Sequence, residues 1–282
     1  MKKANIARKI AATSTFSSWK RIPHVSFVCD IDVSPLYEKY QKLKENLRGN
    51  ELRISLNTII VKIIAESIKP YQVLYSSFSY NRLIHKMKYE YYETVDINIP
   101  WILPTGEMIP FLLKNVANKS LSQVAFEIDN IKKSIEDMNI ENEMVTAAIN
   151  DTKKKLRKFD LSVVTRIIPL KVVKAMTGYK KNNDQNRPEI NSNGIIISNV
   201  GSLLGDINGR FALLEIIEPK IIAIGISSIE DKIILTEKPE KYGIKKILPL
   251  TIAFDHRAID FGNIVPFIKN IREKASTYEI ET

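Results

Sequence analysis

The segment Leu248-Pro249-Leu250-Thr251-Ile252-Ala253-Phe254-Asp255-His256-Arg257-Ala258-Ile259-Asp260 passes from an apolar run into charged residues around a single imidazole. The run reads as a buried strand, expected over 247–254, and Asn263 to Ala275 read as a helix. A histidine where a buried strand gives way to a helix is held rigidly, with one side open to whatever approaches the strand end. Its ordinary pKa lies near neutrality, so little perturbation is needed for it to act as a base. On its residues alone the segment leaves two readings, a base or a hydrogen-bonded turn histidine. Asp255, Arg257 and Asp260 then fix its tautomer or stabilise the loop.

Working outward, strands are expected at 195–198, 221–227 and 232–236, and a charged amphipathic helix over 120–138, where Leu121, Val124, Ala125 and Ile128 repeat at helical spacing. Earlier in the chain, 24–33 alternates and is rich in β-branched residues, a strand signature. Ser34-Pro35 opens a helix as N-cap and first-turn proline. Residues 57–68 form an apolar helix that Pro70 stops. The tyrosine-rich pieces 77–85 and 89–99 read as a pair of strands, and MIPFLLKNV, after the Pro104/Gly106 turn, as another. Helices and strands interleave without a glycine-rich phosphate-binding pattern, so nucleotide-phosphate folds gain no support. With no internal repeat and no Gly/Ser linker, one α/β domain over 1–282 is expected.

The chain has 282 residues, a net charge of +10 and 44% hydrophobic residues, a globular composition rather than a disordered one. Cys29 is the only cysteine, which excludes an intramolecular disulfide and a multi-cysteine zinc site and points to a reducing cytoplasm. No apolar run reaches signal-peptide or membrane-spanning length. His24, His85 and His256 have no ligand spacing, so no metal site is expected; His24 reads as structural and His85 as exposed. Residues 151–187 carry eleven basic side chains and three acids, +8 of the +10. Their centre, LSVVTRIIPLKVVKAM, reads either as a helix lying on an anionic membrane or acidic partner, or as a solvated basic face. Because the excess charge is local, a nucleic-acid footprint is not expected.

DHRAID resembles the DHRxxDG signature of the dihydrolipoamide acyltransferases, the core subunits of 2-oxo acid dehydrogenase complexes. Arg21-Ile22-Pro23-His24-Val25 is similar to that family's IPHV opening. TGEMIPFLLKNVANKSL, GIIISNVGS and LLEIIEPKIIAIGISSIEDK follow in the family's order. The resemblance implies a chloramphenicol acetyltransferase-like two-layer α/β fold, with a mixed sheet and flanking helices, and acyl transfer without a metal. Coenzyme A or its acyl thioester would be a substrate, and a lipoyl group would arrive in trans. It makes His256 the general base and Ser198 the hydroxyl on the tetrahedral oxyanion; on residues alone Ser198 is a strand-end serine before an Asn-x-Gly turn. It also gives Asp260 a loop-holding ion pair with Arg8, and a homotrimer whose His256 and Ser198 come from different copies.

The chain departs from the family at three points. Phe261 stands where the family has glycine, with Gly262 one place later. The core begins near Met1, so no lipoyl lysine is expected in cis. A basic helical insertion at about 141–190 has no counterpart. Its residues 153–181 suit an acidic carrier or an anionic membrane, which would make a cytoplasmic protein peripheral to the bilayer. A scaffold that has kept the fold and lost turnover is the alternative.

Overall fold

The computed structural model describes residues 6–46, 54–103, 106, 108–135, 193–204, 207–235 and 242–280. The basic stretch 151–187 and the insertion expected at about 141–190 lie outside them.

The apolar run singled out above is the second half of the longest strand, β9 (Tyr242–Asp255), around which a mixed seven-stranded sheet is built. On one side β1 (His24–Asp32) runs antiparallel to it, His24 opposite Asp255 and Asp32 opposite Ile247. On the other, β7 (Ile222–Ile226) pairs with its C-terminal part and β8 (Glu230–Leu235) with its N-terminal part, both antiparallel. The sheet continues through β6 (Ile195–Asn199), parallel to β7 and to β4 (Ile97–Ile102), and ends in β5 (Met108–Leu113), antiparallel to β4. Between α1 (Ile6–Arg21) and the C-terminal helix come α2 (Ser34–Asn46), α3 (Leu56–Ile68), α4 (Leu121–Ile135) and a single turn, α5 (Gly201–Leu204). The last helix is α6 (Phe261–Thr277). β2 (Ser77–Asn81) and β3 (Lys86–Glu90) form a separate two-stranded ribbon.

Alternation of side chains divides the sheet into two unlike faces. Ile222, Ile224, Ile226, Leu250, Ile252 and Phe254 share one face, each buried, in a core with Ile59, Ile64, Ile264 and Phe267 of the helices. Removing a side chain such as Ile252 to Ala would cost about 2–5 kcal/mol in transfer and cavity terms. The other face carries small residues, Ala223, Gly225, Thr251 and Ala253, because an extended segment lies flat against it. Thr251 Oγ1 donates to the Phe211 carbonyl at 2.6 Å, and a Cβ on Gly225 would come within 2.5 Å of the Phe211 ring. Only glycine allows that approach.

The helix stop and start signals hold locally. Ser55 caps α3 by accepting from Thr58 N at 3.1 Å, and the helix ends two residues before Pro70. Its one buried charge, Lys62, is met by the carbonyls of Val116 (3.2 Å) and Ala117 (2.9 Å) and by Glu66 (3.0 Å), the satisfaction that a buried ammonium requires.

Three local expectations are revised, and one helix, α1, has no reading from the sequence. The turn of α2 is capped by Asp32 rather than Ser34: its carboxylate accepts from Ser34 N at 3.0 Å, while Ser34 Oγ accepts from Lys246 N at 2.9 Å. The piece 89–99 is not one strand. It is divided between β3 and β4, with Thr94 and Asp96 in the link holding each other at 3.1 Å. β9 starts at Tyr242, five residues before the expected strand, since its first half pairs with β8 in a half-exposed arm and shows no continuous apolar run. Finally, α1 lacks an amphipathic pattern. It is tied down by polar contacts instead: Thr15 to Glu215 at 3.1 Å, Glu218 N to Ser18 at 3.1 Å, and Arg21 to Glu218 at 3.2 Å.

Candidate active site

The turn leaving β9 is fixed by a buried ion pair. Asp255, 1% exposed, accepts from the Arg257 backbone N at 2.9 Å, from Nε at 3.0 Å and from Nη2 at 2.6 Å. Arg257 Nη2 also reaches Glu218 at 3.3 Å, which in turn pairs with Arg21 on α1. Burial opposes the guanidinium charge, but hydrogen bonds and attraction from Asp255 and Glu218 outweigh it and raise its pKa. Arg257 lies 5.6 Å over the Phe78 ring of the ribbon, and the Tyr89 hydroxyl donates to the Ala258 carbonyl at 2.7 Å. Three separate parts of the chain thus converge on four residues. Bidentate geometry is why arginine, and not lysine, fits here.

On this frame His256 points outward, its side chain 49% exposed. Its backbone N–H donates to the Pro23 carbonyl at 3.2 Å. Nδ1 lies 3.2 Å from the Ile259 carbonyl and 3.2 Å from the Asp260 carboxylate. Two oxygens on one ring nitrogen place the proton there and leave Nε2 with its lone pair. Asp260 also starts α6, its backbone N–H donating to Asn263 Oδ1 at 2.9 Å. The three charged neighbours thus divide the work: Asp255 secures Arg257, and Asp260 faces the imidazole.

Ser198, half-buried, sits near the end of β6, opposite Gly225 of β7. Just beyond it the chain turns into α5 through Gly201, where a Cβ would lie 2.7 Å from the Ser227 carbonyl. Asn199 donates to Asn57 at 2.5 Å, tying this end of the strand to α3. Gly225 in turn lies opposite Thr251 of β9. Ser198 is therefore two strands across and five residues back from His256, which at strand spacings amounts to about 20 Å. The chain does not bring its own Ser198 to its own His256.

Nor does it join Arg8 to Asp260. Arg8 lines a cleft of about 400 Å³ along α1, with Ala11, Ala12, Thr15, Phe16 and Trp19, while the Asp260 carboxylate faces His256. The other histidines are structural: His24 Nδ1 donates to the Ile22 carbonyl at 2.8 Å and Nε2 accepts from Ile216 N at 3.0 Å. His85 is exposed in a turn beside Tyr80. Burial and the neighbouring Asp30 push the Cys29 thiol up to about 11, the reverse of an activated nucleophile. Among the described residues no group of three or more His, Cys, Asp or Glu is placed to hold a metal ion, and no helix is long and apolar enough to cross a membrane. Glu218 and Tyr89, which hold the turn from far along the chain, escaped sequence reasoning; an acid inside the apolar stretch 211–229 was the one signal available.

The chain matches the family model for the 2-oxoacid dehydrogenases acyltransferase catalytic domain over residues 2–150 and 166–279. It is 23% identical over 255 residues to the dihydrolipoyllysine-residue acetyltransferase component of the pyruvate dehydrogenase complex of Staphylococcus epidermidis, and 24% identical to that of Staphylococcus aureus. These alignments cover 90% of this chain and 46% of the relatives, so the chain spans about half their length. Among solved structures it superimposes on Azotobacter vinelandii dihydrolipoamide acetyltransferase with a TM-score of 0.68 at 18% identity, covering 98% of this chain and 91% of that one. That structure was solved to examine a serine, a histidine and an asparagine in the catalytic mechanism. A probable dihydrolipoamide acetyltransferase of Listeria monocytogenes gives 0.68 at 15% identity, with 100% and 97% covered.

Proposed function

Because the chain belongs to the 2-oxoacid dehydrogenase acyltransferase catalytic-domain family, we propose that it moves an acyl group between coenzyme A, or a carrier-bound thioester, and a thiol or other nucleophilic acceptor. The observation that carries this reading is His256, fixed on a rigid turn with Nδ1 against two oxygens and Nε2 open. Nε2 takes the proton of the acceptor thiol as sulfur attacks the thioester carbonyl carbon. The oxyanion of the tetrahedral intermediate accepts a hydrogen bond from the Ser198 hydroxyl. The intermediate then expels the coenzyme A sulfur, which recovers the proton from His256. Asp260 favours the transient imidazolium across 3.2 Å. In the Azotobacter protein the asparagine follows the histidine by four residues, the spacing of Asp260 from His256, and a serine precedes both as Ser198 does here.

Since Ser198 and His256 of one chain are about 20 Å apart, the reading requires a neighbouring copy, with the Ser198 end of one sheet against the His256 end of the next. A head-to-tail contact of this kind closes into a ring, in keeping with a homotrimer. The arm formed by β8 and the first half of β9 projects at the Ser198 end. It carries Ile233, Leu235, Tyr242 and Ile244, each 70–74% exposed. Ile233 lies opposite Ile244 and Leu235 opposite Tyr242, so they form one exposed apolar face, which suits a contact between copies. The proposal takes residues 1–282 as one catalytic domain with an insertion at about 141–190. The hydrophobic core running from Ile31 to Ala275 supports it. The acceptor would be coenzyme A or a lipoyl group supplied in trans, and the cationic stretch 153–181 would receive an acidic carrier or an anionic membrane.

The test is release of coenzyme A thiol from acyl donors, with and without lipoamide. His256→Ala is expected to lose about 10²–10⁴-fold and Ser198→Ala about 10²–10³-fold, with the assembly intact. Unchanged turnover in His256→Ala overturns the assignment, and no turnover by the parent protein with any donor leaves an inert scaffold.

A further inference from the structure

The ribbon of β2 and β3 has a root that clamps the catalytic turn and a strongly exposed apex. At the apex, Leu83 is 92% exposed and Ile84 66%, the former the most exposed large hydrophobic side chain among the described residues. This is a built turn: Asn81 Oδ1 accepts from Leu83 N at 3.0 Å and Ile84 N at 3.4 Å, and the Tyr80 hydroxyl meets His85 Nδ1 at 3.1 Å. Met87, 55% exposed, lies opposite Tyr80 one step down. Around these apolar groups stand Arg82, Lys86 and Lys88, and no acid occurs from Ser77 to Tyr89. Tyr91, 57% exposed, follows at the root.

Behind the aliphatic apex come the cations, with Tyr80 and Met87 between Lys86 and Lys88, and Tyr89 and Tyr91 follow toward the root. At about 3.4 Å per residue, Arg82 and Lys86 lie within about 7 Å of the apex and Lys88 about 14 Å from it. A bilayer interface presents its complement in the same order: hydrocarbon, anionic phosphates within 5–10 Å of it, and the headgroup zone that tyrosine prefers. The apex exposes its aliphatic side chains, and its charge is of one sign. We infer that the apex of this ribbon is a contact site for an anionic membrane surface, with Leu83 and Ile84 entering the acyl boundary and Arg82, Lys86 and Lys88 pairing with lipid phosphates. The inference is independent of the reaction at His256, which the ribbon supports only from its root.

The experiment uses the full chain with vesicles of phosphatidylcholine alone and of phosphatidylcholine with phosphatidylglycerol. Co-sedimentation is expected with the anionic vesicles, weakened by salt. In Leu83→Trp, emission should shift to the blue on mixing and be quenched by brominated lipid, beyond any change in the parent protein. Leu83→Asp with Ile84→Asp should lower partitioning at least tenfold, and each of Arg82→Gln, Lys86→Gln and Lys88→Gln about fivefold. Thiol release with soluble substrates and the size of the assembly should stay unchanged. A tryptophan at 83 that remains in water on bound protein overturns the inference, as does a double-aspartate variant that partitions like the parent. A smaller assembly in that variant would make the apex a contact between copies and overturn it equally.

Discussion

Mixing two inactive variants tests the geometry of the site more severely than either variant alone. His256→Ala retains a functional Ser198, and Ser198→Ala retains a functional His256. Within one chain the two residues are about 20 Å apart, several times the hydrogen-bond reach over which a base and an oxyanion donor cooperate. If each site combines the imidazole of one copy with the hydroxyl of its neighbour, a mixed ring holds some contacts where both functional groups meet. In a head-to-tail ring formed at random from equal amounts, about one contact in four is competent. The mixture should recover about a quarter of parental activity, while each variant alone stays at or below about one hundredth. Recovery should follow the product of the two fractions and peak at equal amounts. The assay is thiol release from the whole unfractionated product of co-expression from two tagged genes, with sequential affinity capture of a portion to verify that mixed assemblies form. If the mixture stays as inactive as its parents, with mixed assemblies verified, the shared site is refuted.

Further outcomes follow from the same coordinates. Ile233→Asp with Ile244→Asp places charge on the exposed face of the β8–β9 arm; light scattering should show smaller assemblies, and thiol release should fall with them. Asp255→Ala leaves the buried Arg257 with Glu218 as its only acid partner among the described residues, and chemical denaturation should show a loss toward the lower end of the about 3–5 kcal/mol expected for breaking a buried pair. Glu215 has its pKa raised by burial, against the hydrogen bond from Thr15 and the attraction of His24. Its neutral form is the one the fold favours, so its contribution is full below the ordinary glutamate pKa and is lost as pH rises through the folded value. Glu215→Gln should therefore gain stability relative to the parent at neutral pH, and the gain should shrink on acidification; a pH-independent difference would contradict this. Cys29, pushed up to about 11, should resist thiol reagents at neutral pH in the native protein and react once the chain is unfolded.

Much of this fold was legible because its central strands are buried on both sides and so advertise themselves as unbroken apolar runs. The strands read at 195–198, 221–227 and 247–254 emerged in this way, and lie at 195–199, 222–226 and the second half of β9. The parts that stayed hidden are those whose stability comes from distant partners. The first half of β9 is half-exposed and paired with β8, so its pattern carries no core signal. α1 has no apolar stripe and depends on Glu215 and Glu218, about 200 positions away. At the site, the strand–turn–helix context identified His256, but the partition of its acids did not follow from spacing. Asp255 precedes the imidazole and Asp260 follows it; only the pairing of Asp255 with Arg257, backed by Glu218 from earlier in the chain, assigns the first to the frame and leaves the second to the ring.

Two incomplete surfaces remain on the isolated chain, and a single contact accounts for both. His256 keeps about half its side chain exposed beyond the end of β9, and among the described residues its Nε2 has no hydrogen-bond partner. Beyond the opposite end of the sheet, an arm displays paired isoleucine, leucine and tyrosine side chains that water disfavours. Were the arm merely a tolerated irregularity, charging it would leave catalysis untouched. Were His256 only a structural turn residue, its Nε2 would be expected to find a partner, as that of His24 does with Ile216 N. Burying the arm against a second copy brings the Ser198 end of one sheet toward the imidazole of another. On the proposed shared site, the apolar energy of that contact would hold the oxyanion donor in place across a subunit boundary, and assembly and turnover should be lost together in the arm variants while His256→Ala loses turnover alone.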